Sequence, residues 1–174
     1  MTIPADSCHR LMSSEDWISY LGLQPLDREG GWFRETWRSS ESIHQTKGIT
    51  IRRAATAIYY LLNRGQHSRL HYLPGPEIYC HHAGAPMSLL LLGEPDYPKG
   101  REVLLGRNID KGEVPQLVVH GGVIQAGCPV GDPEWCLVST LMSPGFEFED
   151  YKEPDIESLL SKYPHLRSRI LRHS

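Results

Sequence analysis

The chain of 174 residues contains no C-x-x-C pair, no G-x-S-x-G turn and no glycine-rich phosphate loop. Its apolar runs all fall well short of the roughly 20 residues that a membrane-crossing helix needs. The first absence argues against a C-x-x-C zinc or dithiol site, and the second removes the nucleophile elbow of serine hydrolases. Gly121-Gly122 alone is too little for a phosphate cradle. Cys8, Cys80, Cys128 and Cys136 are scattered and carry no catalytic signature. Cys80, between Tyr79 and His81, reads as a buried structural thiol. The opening MTIPADSCHR has no apolar stretch suited to export, so reduced thiols in a soluble, cytoplasmic protein are expected.

An excess of positive charge is also missing. Eighteen Lys and Arg residues face 21 Asp and Glu, a formal net charge of -3, so nothing points to nucleic acid. The late cluster Arg167, Arg169, Arg172 and His173 reads as a solvated helix face, where cations suit the helix dipole. There are no repeats, low-complexity tracts or linkers, and the length fits one self-sufficient core. One domain over residues 1–174 is expected, with a barrel core at about 29–151.

What the chain does have is short alternating segments. A helix over about 13–23 is predicted from Ser13 with Asp16 three residues later, an apolar stripe through Trp17, Ile18, Tyr20 and Leu21, and Gly22 as its end. EGGWFRETWRSS, from Glu29 to Ser40, alternates with period two and reads as a strand. In it, one of Arg34 and Glu35 points inward and needs a partner, unless the two form a surface pair. Glu41 to Gly48 reads as a polar, mobile loop, and Ile49 to Leu62 as one long or bent strand. Met87 to Leu92 is a strand, Asp96 to Arg101 a hairpin turn. Val103–Gly106, Gln116–Val119, Val123–Gly127 and Trp135–Met142 continue the rhythm of an all-β barrel or sandwich. Pro144 to Tyr151 looks extended, and a helix over about 155–171, interrupted at Pro164, closes the chain.

Between the apolar runs at Ala57–Leu62 and Met87–Leu92 lies a turn region, GQHSRLHYLPGPEIYCHHAG, which holds His67, His71, Glu77, His81 and His82. These are residue types that bind metals or move protons. The spacing of Gly65, His71, Glu77 and Gly84 is similar to the first cupin motif, and His120–Gln125 resembles the second, with Gln125 where a final histidine is usual. EGGWFRETWRSS, TAIYYLL, SRLHYLPGPEIYCHHAGAP, LLGRNIDKGEVPQLVVHGG and MSPGFEFEDY together resemble the fifth cupin family, once catalogued only as a domain of unknown function. The resemblance runs from about Trp17 to Tyr151. Pro76 departs from it, standing where an acid usually precedes the motif glutamate.

The resemblance implies an all-β double-stranded β-helix, the cupin jelly-roll barrel, with short N- and C-terminal helices. It also implies a homodimer and a small-molecule pocket at one end of the barrel, and places the chain near sugar-nucleotide epimerases of the same architecture. His71 and Glu77 are then the expected catalytic pair. Arg34, Glu35, Tyr59, Arg69, Tyr79 and Gln125 are expected to contact the substrate.

Two chemistries stay open. A divalent iron, manganese, nickel or zinc ion would draw on His71, Glu77 and Gln125, although Arg69 occupies the motif's other histidine position and would repel a cation if it pointed inward. His81 or His82 could add a ligand, but sequence neighbours on a strand face opposite ways. Without metal, a Glu77 carboxylate bonded to His71 would suit epimerase, isomerase or lyase chemistry next to a carbonyl, with Arg34 or Arg69 stabilising an enolate. A metal-dependent oxygenase or lyase, and a non-catalytic binder, are the alternatives.

Overall fold

The computed structural model describes residues 12–44 and 51–174. Among these residues, twelve strands appear in the order β1 (Gln24–Pro25), β2 (Trp32–Arg38), β3 (Ser42–His44), β4 (Ile51–Arg53), β5 (Thr56–Asn63) and β6 (Ser68–His71), then β7 (Glu77–Gly84), β8 (Met87–Gly93), β9 (Tyr97–Leu105), β10 (Gln116–Val119), β11 (Ile124–Pro129) and β12 (Trp135–Met142). Helix α1 (Ser14–Leu21) precedes them, and α2 (Ile156–Lys162) and α3 (Arg167–Arg172) follow. The strands form a six-stranded antiparallel sheet, β1-β2-β5-β12-β7-β10, facing a four-stranded one, β6-β11-β8-β9, with β3-β4 as a separate hairpin. This is the expected all-β jelly roll.

The apolar runs are continuous, not alternating, because both faces of the central strands are covered. Along β8, Met87, Leu89 and Leu91 point between the sheets against Tyr60, Leu62, Tyr79 and Val138. Leu90 and Leu92 point outward and are covered by Leu159, Leu160, Tyr163 and Ile170 of the C-terminal helices. On the opposite sheet, Leu61 and Leu137 lie beneath Leu21 and Leu23 at the end of α1. Each such fully buried side chain contributes about 1.5–3 kcal/mol. Helix α1 has the predicted start and stop: Ser13 and Asp16 form a reciprocal capping box, and Gly22 ends it in the left-handed conformation at φ 61°.

Several local expectations are corrected. The turn after β8 is 94–96, and β9 already starts at Tyr97. Gly100 is a strand residue whose missing side chain makes room, since a Cβ there would lie 2.4 Å from Leu166 Cδ1 of the C-terminal segment. Ser42–His44 is not loop but pairs with Ile51–Arg53; the rest of that predicted loop and the start of the next strand, 45–50, lie outside the described residues. The predicted long strand breaks at Ala54 and Ala55 into β4 and β5. The histidine-rich region is two strands, β6 and β7, joined through 72–76. Pro144–Tyr151 is not extended: it crosses the barrel end as a strap containing a 3-10 turn at Phe148–Asp150, started by Glu147 N–H donating to Asp150 Oδ2 at 3.1 Å. His173 is not on a solvated face but buried, its Nδ1 3.3 Å from the Ser68 carbonyl oxygen. No helix among the described residues is long and apolar enough to cross a membrane.

Candidate functional site

One end of the barrel gathers polar groups from both sheets. His71 ends β6 and faces Gln125 of β11 across the strand pair. Glu77 opens β7 in the other sheet, where it pairs with Met142 of β12 and Val119 of β10. All three polar side chains are buried. Gln125 Nε2 donates to Glu77 Oε2 at 2.7 Å and lies 3.3 Å from His71 Nε2. His71 Nδ1 lies 2.8 Å from the Arg69 carbonyl oxygen. A carbonyl only accepts, so Nδ1 carries the proton and Nε2 is the acceptor of the neutral ring. The Tyr79 hydroxyl donates to the same Glu77 Oε2 at 3.1 Å. The direct Glu77–His71 bond expected from the motif is therefore corrected: the Gln125 amide stands between them.

Burial pushes the Glu77 carboxyl above its ordinary value of 4.5, and the nearby Glu29 charge pushes it further, against smaller lowering contributions from His71, Thr140 and Gln125. Tyr79 and Tyr60 are likewise raised, chiefly by burial. Among the described residues, the Gln125 Oε1 atom is buried without a hydrogen-bond partner, as is the Tyr151 hydroxyl.

A cavity of about 80 Å³ opens beside this group. Its walls are largely apolar, with Phe33, Ile58, Leu73 and Phe146 among them, and its polar lining includes Glu29, Glu35, Thr140, His71 and Glu77. The strap forms the roof. Tyr151 stacks on His71 with ring centroids 4.9 Å apart and planes 19° from parallel, and the Arg28 guanidinium sits 4.8 Å from the Tyr151 ring centroid. Three arginines pin the strap: Arg28 donates to the Phe148 and Tyr151 carbonyls, Arg38 to Glu147 and the Phe146 carbonyl, and Arg52 to both oxygens of Asp150.

Three β-bulges decide which residues reach the cavity. On β2 the register runs Glu35↔Ile58 and then Trp37↔Ala57, skipping Thr36. Glu35 and Arg38 therefore share the inner side, and Arg38 Nη2 donates to Glu35 Oε2 at 2.8 Å. Arg34 is corrected to the outer face, opposite Tyr59, with its guanidinium 5.9 Å from the Tyr59 ring. On β6, Gln125↔His71 and Gly127↔Ser68 leave Arg69 and Leu70 opposite the single residue Ala126. Ser68 and His71 both point inward as a result, and Arg69 is corrected to an exposed position, offering the site only its carbonyl. On β7, His82 is skipped opposite β12 and is exposed. His81 lies towards the far end, with Nε2 2.9 Å from the Ala85 carbonyl. Tyr79 and Gln125 lie behind Glu77, bonded to it, and do not themselves line the cavity.

Glu29, Arg28, Arg38 and Tyr151 line this candidate site and are not singled out by the sequence patterns. Glu29 has a signal in the following Gly30-Gly31: Gly30 sits at φ 104°, and a Cβ there would come within 2.4 Å of the His67 carbonyl oxygen. That close approach sets Glu29 into the cavity, where Ser68 Oγ donates to its Oε1 at 2.7 Å. Cys80 is half-buried and accepts a weak bond from Gln116.

As a metal site, the donor set does not fit. The described residues contain no group of three or more His, Cys, Asp or Glu able to hold an ion. Gln125 presents nitrogen, not oxygen, to both His71 and Glu77, and turning it would break both contacts.

A double-stranded β-helix with imidazole, amide and carboxyl groups gathered inside one mouth defines the cupin class of barrel. Within that class the chain belongs to the family described as Cupin superfamily (DUF985), which matches residues 15–153. It is 32% identical over 139 residues to the uncharacterized Saccharomyces cerevisiae protein YML079W, spanning 71% of this chain and 67% of that one. A hypothetical protein from Leishmania major superposes with a TM-score of 0.84 at 31% identity, over 94% of this chain and 99% of that one. A Shewanella oneidensis protein does so with a TM-score of 0.80 at 30% identity, over 94% and 98%. Oxalate decarboxylase from Bacillus subtilis, in which Mn(II) centres are described, shares the fold alone: TM-score 0.52 and 12% identity over 84% of this chain and 35% of that one.

Proposed function

We propose that this cupin binds a small carbonyl metabolite in the Glu77 mouth and moves a proton on it, in the manner of an epimerase, isomerase or lyase. The observation that carries this reading is the Glu77 carboxyl, buried at the cavity with its proton affinity raised by burial and by Glu29. A carboxyl held nearer neutrality gives and takes a proton at working pH more readily than one near 4.5. Gln125 anchors Glu77 Oε2, and the bare Nε2 of His71 is the neighbouring acceptor. Tyr79 holds the carboxyl from beneath and stays protonated.

The test is deuterium incorporation into small aldehydes, ketones and keto sugars incubated with the protein in heavy water, followed by proton NMR. Exchange above background that falls by about 100-fold or more in Glu77→Gln supports proton transfer. Equal exchange by protein and variant overturns it, and saturable binding without exchange makes the chain a non-catalytic binder.

Two further expectations join this proposal. Trp37, Ala57, Leu141, Ile78 and Val118 lie in register across the outer face of the six-stranded sheet, with Trp37 51% exposed. A second copy of the chain would cover this row, as the homodimer expectation requires; a monomeric mass by light scattering would contradict it. Among the described residues, Cys80, Cys128 and Cys136 are unpaired, in keeping with a reducing, cytoplasmic setting.

A further inference from the structure

Among the described residues, three carboxyl groups line the cavity, those of Glu29, Glu35 and Glu77. Glu35 is committed to the protein: it is exposed, and Arg38 donates to both its oxygens, Nε to Oε1 at 3.0 Å and Nη2 to Oε2 at 2.8 Å. Glu29 is held differently. Its backbone carbonyl accepts from the Arg69 N–H at 2.9 Å, and the Gly30 carbonyl accepts from the buried Tyr60 hydroxyl at 2.9 Å. The Gly30 N–H closes the turn by donating to the Leu26 carbonyl at 2.7 Å. With Ser68 Oγ on its Oε1, both the backbone and the side chain of Glu29 are fixed at the cavity, as a reacting group must be.

Glu29 and Glu77 are anchored at neighbouring points of one strand pair. Ser68, which holds Glu29, pairs with Gly127 of β11, while Gln125, which holds Glu77, pairs with His71. Gly127 and Gln125 are two strand residues apart, about 7 Å. A base and an acid acting on the two ends of one H–C–C=O unit need a gap of about that size, since each reaches its atom over roughly 3 Å. The two groups also feel one another. After burial, the Glu29 charge is the largest influence raising the proton affinity of Glu77, Tyr60 and Tyr151. Two carboxyl groups in one apolar space favour holding a single proton between them, and Glu77 is the more deeply buried of the two.

We propose that Glu29 is a second catalytic residue, the base that works with Glu77 as the acid in a keto–enol step on an α-hydroxy ketone. This rests on the Glu77 mouth being the site of proton transfer. A Glu29 carboxylate oxygen takes the proton from the carbon beside the carbonyl. The C–H electron pair becomes the C=C bond, and the carbonyl π pair takes the proton of Glu77. The products are an enediol, a protonated Glu29 and a Glu77 carboxylate. On return, Glu77 takes a hydroxyl proton and Glu29 gives one to carbon. Return to the same carbon gives exchange, and return to its neighbour gives the isomer. The oxygen is protonated as the C–H bond breaks, so charge does not build up on the substrate.

The test is the pH dependence of deuterium incorporation into hydroxyacetone and dihydroxyacetone, read by proton NMR for the full chain and for Glu29→Gln, Glu29→Asp and Glu77→Gln. The other titratable groups around the pair are His71, Tyr60, Tyr79 and Tyr151, with Arg28, Glu35 and Arg38 also on the cavity wall. The parent should give a bell, rising as the base loses its proton and falling as Glu77 loses its own. Glu29→Gln keeps an oxygen for Ser68, so it should melt with the parent yet lose about 100-fold in exchange, with the rising limb gone. Glu29→Asp keeps the carboxylate but draws it back by a methylene, so about a tenfold loss with both limbs retained is expected. Exchange by Glu29→Gln within about threefold of the parent overturns the pair and leaves Glu77 as the proton carrier. A large loss with both limbs kept also overturns it, because Glu29 would then act only through its charge on Glu77. Exchange retained in Glu77→Gln, or no exchange by the parent, overturns the proton-transfer reading and the pair with it.

Discussion

Strand β7 connects two mouths of one barrel that have been finished very differently. At its start, Glu77 lies under a strap pinned by three arginines, among apolar walls. Near its other end, His81 borders an open groove whose rim mixes Arg107, Asp110, Lys111 and Asp132. There the buried acid, Glu113, accepts the backbone N–H of Asn108 at 2.8 Å and packs against Gly106, where a Cβ would lie 2.2 Å from its Oε2. That carboxylate holds a loop in shape. At the Glu77 mouth, the carboxyl is held by Tyr79 and by Gln125, whose own Oε1 is buried without a partner among the described residues. A buried acid that serves the backbone is part of the scaffold, whereas one aimed at a cavity with raised proton affinity is available for chemistry.

The largest effect that tests this contrast is on proton exchange. Glu77→Gln should lose about two orders of magnitude or more, while Glu113→Gln should leave exchange within twofold and lower stability by about 1–2 kcal/mol, the usual cost of a weakened buried hydrogen bond. Equal losses in the two variants would erase the distinction between the mouths. Next is the roof. Arg52 and Asp150 are both largely buried, and Arg52→Met leaves a buried carboxylate unpaired, costing about 3 kcal/mol in urea unfolding; a loss below about 0.5 kcal/mol would show that the strap needs no such pin.

A comparable effect belongs to His173, beside the site end, whose imidazole is lowered from 6.5 to about 4 chiefly by burial, then by His67. The unfolded chain takes up that proton below about 6.5 and the folded chain only near 4, so stability falls as pH drops through this window, by up to about 3 kcal/mol. His173→Leu should flatten this part of the pH–stability curve, and an unchanged slope would contradict it. The smallest effect sharpens the contrast from the other side: Lys111→Met, on the rim of the open groove, should change stability by under about 0.5 kcal/mol and leave ligand binding untouched.

The architecture is legible in the sequence because its signals are local and redundant. Capping at Ser13 and Asp16, the glycine that ends α1 and the two-sided apolar run of β8 each say one thing, and the packing agrees. Motif spacing alone brings His71, Glu77 and Gln125 together. What the sequence hides is side. A period-two pattern assigns faces correctly only until a bulge, and β2, β6 and β7 each carry one. That pattern draws Arg34 and Arg69 towards the pocket and passes over Arg38. Tyr151 and Arg28 are hidden for another reason. They meet His71 through a strap about 80 residues downstream and a turn about 40 upstream, and no local pattern encodes that contact.

The most direct measurement is a carbon-13 NMR titration of the Glu77 side-chain carboxyl, assigned by its disappearance in Glu77→Gln. The account predicts a midpoint above 4.5, with folding stability declining as pH rises from there through the raised midpoint and level beyond it, because the folded state holds the proton longer. A midpoint at or below 4.5 would make Glu77 an ordinary buried carboxylate stabilised by its hydrogen bonds, and would contradict its role as the proton carrier of this site.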